Sequence, residues 1–196
     1  MQVDRVLYPI ESLGPGKRLV IWTVGCSKHC YRCSNSELWE SDDGKDVPVE
    51  KLIDAVSSIC HEVQPDGFTI TGGDPLEQAG ELLELLDFLS TESEDILVYT
   101  GFTLEELEKK LSVRWLERLK GSTGVLIDGR YVDSLNDNRC VLRGSLNQEI
   151  HFFKPELKGL YDDYMSCGRK IQNVYCGNRV ISAGIHNRES EYEKAD

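Results

Sequence analysis

Four short apolar runs, at residues 19–24, 67–71, 95–100 and 124–127, are separated by stretches with helical spacing, and this alternation limits the fold more than any other feature. Residues 49–63 place Leu52, Ile53, Val56, Ile59 and Cys60 on one stripe, and residues 77–90 are dense in leucine. Residues 103–111 open on Thr103 with Glu106 three positions on, the pattern of a capping box. Strands that alternate with helices imply βαβ crossovers, so the pattern predicts an α/β fold with mostly parallel strands. Each run ends in an unusual loop. Cys26 opens the first, Gly72-Gly73-Asp74-Pro75 the second, Thr100-Gly101-Phe102 the third and Asp128-Gly129-Arg130 the fourth. In a parallel sheet all four share the carboxyl-end rim, where such sheets place their sites. Glycine and aspartate are also ordinary turn residues. Four such loops in succession, one rich in cysteine, favour a shared site.

Cys26, Cys30 and Cys33 are spaced C-x3-C-x2-C. Three thiolates on one loop can bind three irons of a cubane, which is held by cysteine thiolates and needs four ligands in all. One iron is left for another ligand, which suits catalysis better than electron storage. Structural zinc wants a fourth ligand and usually pairs two C-x2-C knuckles. The sequence has no second knuckle; zinc, or thiols that merely pack, stays as the alternative. His29 reads as a solvated loop residue rather than a ligand, and Trp22 and Trp39 as packing residues. Cys60, Cys140, Cys167 and Cys176 show no ligand spacing.

A C-x3-C-x2-C loop after a buried strand resembles the radical S-adenosylmethionine (SAM) enzymes, although Arg32 stands before the third cysteine where many members have an aromatic residue. Gly72-Gly73-Asp74-Pro75 is similar to that superfamily's GGEP motif. The segments Gly14-Pro15-Gly16-Lys17-Arg18, Tyr99 to Leu107, Asp128-Gly129-Arg130-Tyr131 and Arg143-Gly144-Ser145-Leu146-Asn147-Gln148 narrow the likeness. Together they resemble the activating components of anaerobic ribonucleoside-triphosphate reductase, a glycyl-radical-enzyme activase family, over about three quarters of the chain. The resemblance implies an incomplete (βα) barrel and a [4Fe-4S] cluster on Cys26, Cys30 and Cys33. It implies SAM held by Gly72, Gly73, Asp74 and Pro75, with Thr100 and Asp128 lining the rim. It also implies a large glycyl-radical partner and a flavodoxin or ferredoxin-type reductant. Asp74 would then meet the SAM ammonium; as a residue alone, it can equally cap the helix that follows. Residues 143–148 can line the site or form a polar turn between short strands at 139–142 and 149–153.

At 196 residues the chain can bury a full core. A net charge of −12 argues against nucleic acid, which calls for a positive patch. No stretch reaches the length of a membrane span, and the first residues lack a signal-peptide pattern. Seven cysteines, an odd number, argue against a disulfide framework and for a reducing cytoplasm. The expected division is a core at 1–153 and an extension at 154–196 that carries a β-hairpin, 171–176 with 179–182, and an acidic tail. Two rival functions remain: a radical SAM enzyme that modifies a peptide or small molecule, and a non-catalytic iron–sulfur or zinc protein.

Overall fold

A computed structural model describes residues 1–177 and 179–188. Its centre is one six-stranded sheet in chain order: β1 (Val3–Ile10), β2 (Arg18–Thr23), β3 (Gly67–Gly72), β4 (Ile96–Tyr99), β5 (Val125–Asp128) and β6 (Glu149–Phe152). β2 to β5 run parallel, while β1 and β6 are antiparallel flanks. The expected parallel heart is therefore present. The sheet ends in two edges, β1 and β6, and does not close into a barrel.

Five α-helices are present among the described residues: α1 (Val49–Val63), α2 (Ala79–Glu92), α3 (Leu104–Lys110), α4 (Val113–Ser122) and α5 (Lys158–Ser166). α1 has the bounds that its apolar stripe predicts. α3 carries the expected capping box, in which Thr103 Oγ1 accepts from Glu106 N at 3.1 Å and Glu106 Oε2 accepts from Thr103 N at 2.9 Å. Side chains alternate across a strand, so each strand divides its residues between two layers. Leu19, Ile21, Phe68, Ile70, Ile96, Val98 and Leu126 face the layer of α1 to α4. Val20 and Trp22 join Ile10, Leu13 and Ala183 on the opposite face, where Leu97, Val125 and Ile127 meet Tyr161 and Tyr164 of α5. The sequence pattern missed β1, α4 and α5.

One expected strand is absent. Residues 139–142 form a loop, because Asp137 Oδ1 accepts from the amides of Arg139 and Cys140 at 2.8 and 2.9 Å and Leu142 takes φ 64°. The hairpin is present as β7 (Ile171–Cys176) and β8 (Arg179–Gly184), paired from Ile171↔Gly184 to Cys176↔Arg179. Its turn holds Gly177 at φ 57°; Asn178, and the expected acidic tail beyond Arg188, lie outside the described residues.

Buried polar groups tie the layers together. The fully buried Arg18 donates to Asp95 Oδ2 at 2.6 Å and to Thr69 Oγ1 at 2.7 Å. Tyr161 Oη donates to Asp95 Oδ1 at 2.6 Å. Pairing with hydrogen bonds is what makes a buried charge tolerable.

Candidate active site

β2, β3, β4 and β5 end side by side, with Thr23 opposite Gly72 and Tyr99 opposite Ile127. Their loops enclose a cavity of about 440 Å³. The loop after β2 is fixed by its own backbone: Gly25 N donates to Leu38 O at 2.8 Å and Cys26 N to Trp39 O at 2.9 Å. His29 and Arg32 adopt positive φ values of 44° and 59°, which turn the short loop so that Cys26, Cys30 and Cys33 all line the cavity. Burial pushes the Cys26 and Cys30 thiols above their usual range. His29 stacks on Trp39 with ring centroids 4.9 Å apart, which gives Trp39 a stacking role beyond packing.

Glycine lets the second loop lie against the first. A Cβ on Gly73 would sit 2.5 Å from Gly25 O, and Asp74 N donates to that same carbonyl at 2.8 Å. Asp74 is 1% exposed and lies just behind the cavity wall. Its Oδ1 accepts from Leu76 N at 3.1 Å and Thr100 Oγ1 at 2.9 Å; its Oδ2 accepts from Gly101 N at 3.0 Å and is 3.4 Å from Lys28 Nζ. A carboxylate has about four lone-pair directions, and these partners take them all. The capping alternative for Asp74 thus has its hydrogen bond. Burial raises the Asp74 carboxyl above its ordinary value, against the opposing pull of Lys28, Thr100 and Gly101.

Lys28, set between two of the cysteines, is nearly buried. Its ammonium is 2.8 Å from Glu77 Oε1 and 3.1 Å from the centre of the Phe102 ring. Although burial alone would raise Glu77, hydrogen bonds from Lys28 and Ser27 bring it down to about 2. This pair clasps the cysteine loop to the turn after β3, a link that sequence reasoning did not find.

Of the expected site residues, Cys26, Cys30, Cys33, Gly73 and Thr100 line the cavity. Gly72, Asp74 and Pro75 stand behind that wall. Asp128 turns away from it: Oδ2 accepts from Leu104 N at 2.6 Å and lies 3.0 Å from His151 Nε2. Residues 143–148 reach the cavity and do not join two strands, since residues 139–142 form a loop. Gln148 Oε1 accepts from Gly144 N at 2.8 Å while its Nε2 donates to Gly129 O at 2.8 Å, and both Gly144 and Gln148 reach the cavity. Tyr99, Tyr131 and residues 182–188 also line it. The Tyr99 hydroxyl is buried with no hydrogen-bond partner among the described residues.

The donor set fits a cluster better than a lone ion. Among the described residues, no three His, Cys, Asp or Glu side chains are grouped to hold one metal ion, the arrangement that zinc would need. In a cubane each thiolate binds its own iron, so the three sulfurs need not converge on one point. The cavity is also of a size that takes a small molecule.

Residues 12–151 match the family described as 4Fe-4S single cluster domain. Three relatives bear the name anaerobic ribonucleoside-triphosphate reductase-activating protein. That of Haemophilus influenzae is 32% identical over 155 residues, covering 75% of this chain and 96% of its own. That of Escherichia coli K12 is 30% identical with the same coverage, and that of Enterobacteria phage T4 is 31% identical, covering 76% and 93%. The crystal structure of QueE from Escherichia coli overlaps 52% of this chain and 53% of its own at 17% identity and a TM-score of 0.43, too distant to carry an argument.

Proposed function

The chain belongs to the family of anaerobic ribonucleoside-triphosphate reductase-activating proteins, with their 4Fe-4S single-cluster domain, and from that premise we propose that it is a radical SAM activase. Its product is a glycyl radical on a partner anaerobic ribonucleotide reductase. In this reading the open sheet is the incomplete barrel of that superfamily, and the protein works in a reducing cytoplasm. Cys26, Cys30 and Cys33 would hold a [4Fe-4S] cluster, and with an electron from a flavodoxin or ferredoxin-type donor that group would supply reductive cleavage of SAM and, through it, hydrogen abstraction from the partner's glycine.

The chain's own residues bind, orient and exclude water. Cys26, Cys30 and Cys33 hold the cluster at one end of the cavity. The backbone at Gly73 and Gly101 forms the adjoining wall, where the absence of side chains lets a guest come close. Asp74 fixes that wall by tying Thr100 and Gly101 to the turn after β3. Leu13, Trp22, Leu142 and Ile185 give the chamber apolar sides that keep water from a reactive intermediate.

The observation that carries the proposal is the meeting, in one cavity, of three free thiols from one loop with the glycine turn after β3. Anaerobic reconstitution with iron and sulfide, followed by reduction with SAM present, should give 5′-deoxyadenosine, and a glycyl radical signal when the reductase is added. 5′-Deoxyadenosine without a glycyl radical would move the protein to another radical SAM reaction, and a bound cluster without SAM cleavage would make it an electron carrier.

A further inference from the structure

The chamber has a wall that the family match does not include. Residues 182–188 line the cavity together with the cysteine loop, although they lie well beyond the matched residues 12–151. We propose that this segment is a hinged cover over the chamber, latched to the cysteine loop and opened to admit the glycine segment of the partner. The identity of that guest rests on the activase reading; the cover itself does not.

The two halves of the segment are held by different forces. The first half is anchored. Ala183 is 4% exposed, packs in the cluster of Ile10, Val20 and Trp22, and its carbonyl accepts from Ser12 Oγ at 2.8 Å. Gly184 follows at φ 137°, a conformation that side chains rarely adopt, and it ends β8. From His186 onward the segment is held by polar contacts, to Arg169, Asn136, Asn138 and Asp133. His186 O accepts from Arg169 Nη1 at 2.9 Å. Arg188 N donates to Asn138 Oδ1 at 2.6 Å, and Arg188 Nε is 3.1 Å from Asp133 Oδ2. Water can replace such bonds at small net cost, and segments held this way open first.

The latch reaches the cluster site through one carboxylate. Asp133 Oδ2 lies 3.6 Å from Arg32 Nη1 as well as 3.1 Å from Arg188 Nε. Arg32 sits between Cys30 and Cys33. The end of the cover and the cysteine loop therefore share a counterion, so a shift of the loop is felt at the latch. A closed cover shields the chamber from solvent, and an open one gives a macromolecule a way in.

Hydrogen exchange on the unmodified full-length protein tests the hinge. Amides of residues 186–188 should exchange at least about tenfold faster than those of Ala183 and of β2 and β3; equal protection overturns the proposal. A second arm uses Arg188→Ala and Arg188→Lys in the reconstituted protein. An iron chelator should strip the cluster about threefold faster or more from Arg188→Ala, and near the unmodified rate from Arg188→Lys, with the melting temperature of both unchanged. Equal stripping rates in all three proteins refute the cover. Failure of the unmodified protein to assemble any cluster would instead refute the activase reading, and the exchange arm would still decide on the hinge.

Discussion

Replacing Asp74 by alanine should damage the protein through its framework before it touches any ligand. The substitution removes the acceptor for Leu76 N, Thr100 Oγ1 and Gly101 N, and one of the two counterions of Lys28. Loss of the cap on the turn at Pro75–Gln78 costs about 1 kcal/mol. Gly101 N left without an acceptor costs about 1–2 kcal/mol, and the Thr100 hydroxyl, which can rotate toward the cavity, about 0.5–1 kcal/mol. The sum is about 3 kcal/mol, or a fall in melting temperature of about 6–12 °C for a chain of this size. Asp74→Asn keeps one acceptor oxygen for Leu76 and Thr100 but faces Gly101 N and Lys28 with an amide donor, so it should lose about half as much. Thermal melts of the metal-free protein read the effect, and calorimetric titration of SAM into the reconstituted protein reads the ligand. A melting temperature within about 2 °C of the unmodified protein would refute the reasoning. If SAM affinity nevertheless fell, direct ligand contact would be the role left to Asp74.

Cys30→Ala should abolish assembly of a full cluster, whereas Cys60→Ser, Cys140→Ser and Cys167→Ser should leave iron content unchanged; anaerobic iron and sulfide analysis reads both. Glu77 titrates near 2 in the folded chain and has an ordinary value of 4.5, so the native state favours its charged form. Its contribution is present above pH 4.5 and is lost as pH falls from there toward 2, so Glu77→Gln should flatten that part of the acid-unfolding curve of the metal-free protein. An unchanged slope would contradict the Lys28 clasp. Tyr161→Phe removes the hydroxyl that donates to Asp95 and should lower stability by about 1 kcal/mol in urea unfolding.

What the sequence revealed was what local pattern controls. β2 is buried along its whole length and reads as a continuous apolar run, and α1 and α3 carry a stripe and a capping box that need no tertiary partner. The cysteine spacing was legible because all three residues lie on one loop. β1 was hidden because it is a half-buried edge strand with Asp4, Arg5 and Pro9 in it, which mask an alternating signal. α4 is short and strongly charged, and only Ser112, whose Oγ accepts from Trp115 N, marks its start. In the site, the loop after β5 was placed correctly at the rim, but the direction of Asp128 depends on α3 and β6 packing beside it. Lys28 gives no sign in sequence that it folds back onto Glu77, nor do residues 182–188 that they cross a cavity built mostly from residues before 149. Those contacts arise from chain reversal, which no spacing rule encodes.

The order of the strands also sets an order of birth. All six strands of the central sheet pair with their chain neighbours, so the sheet can grow in the direction of synthesis, one strand added to the last. The helices that cover its first face emerge between those strands. The opposite face waits for α5 and the hairpin, the last described elements to leave the ribosome. The three thiols, by contrast, lie within the first thirty-three residues, ahead of every element that covers this face. The chamber that the sheet opens onto is thus closed by elements made after the strands that floor it.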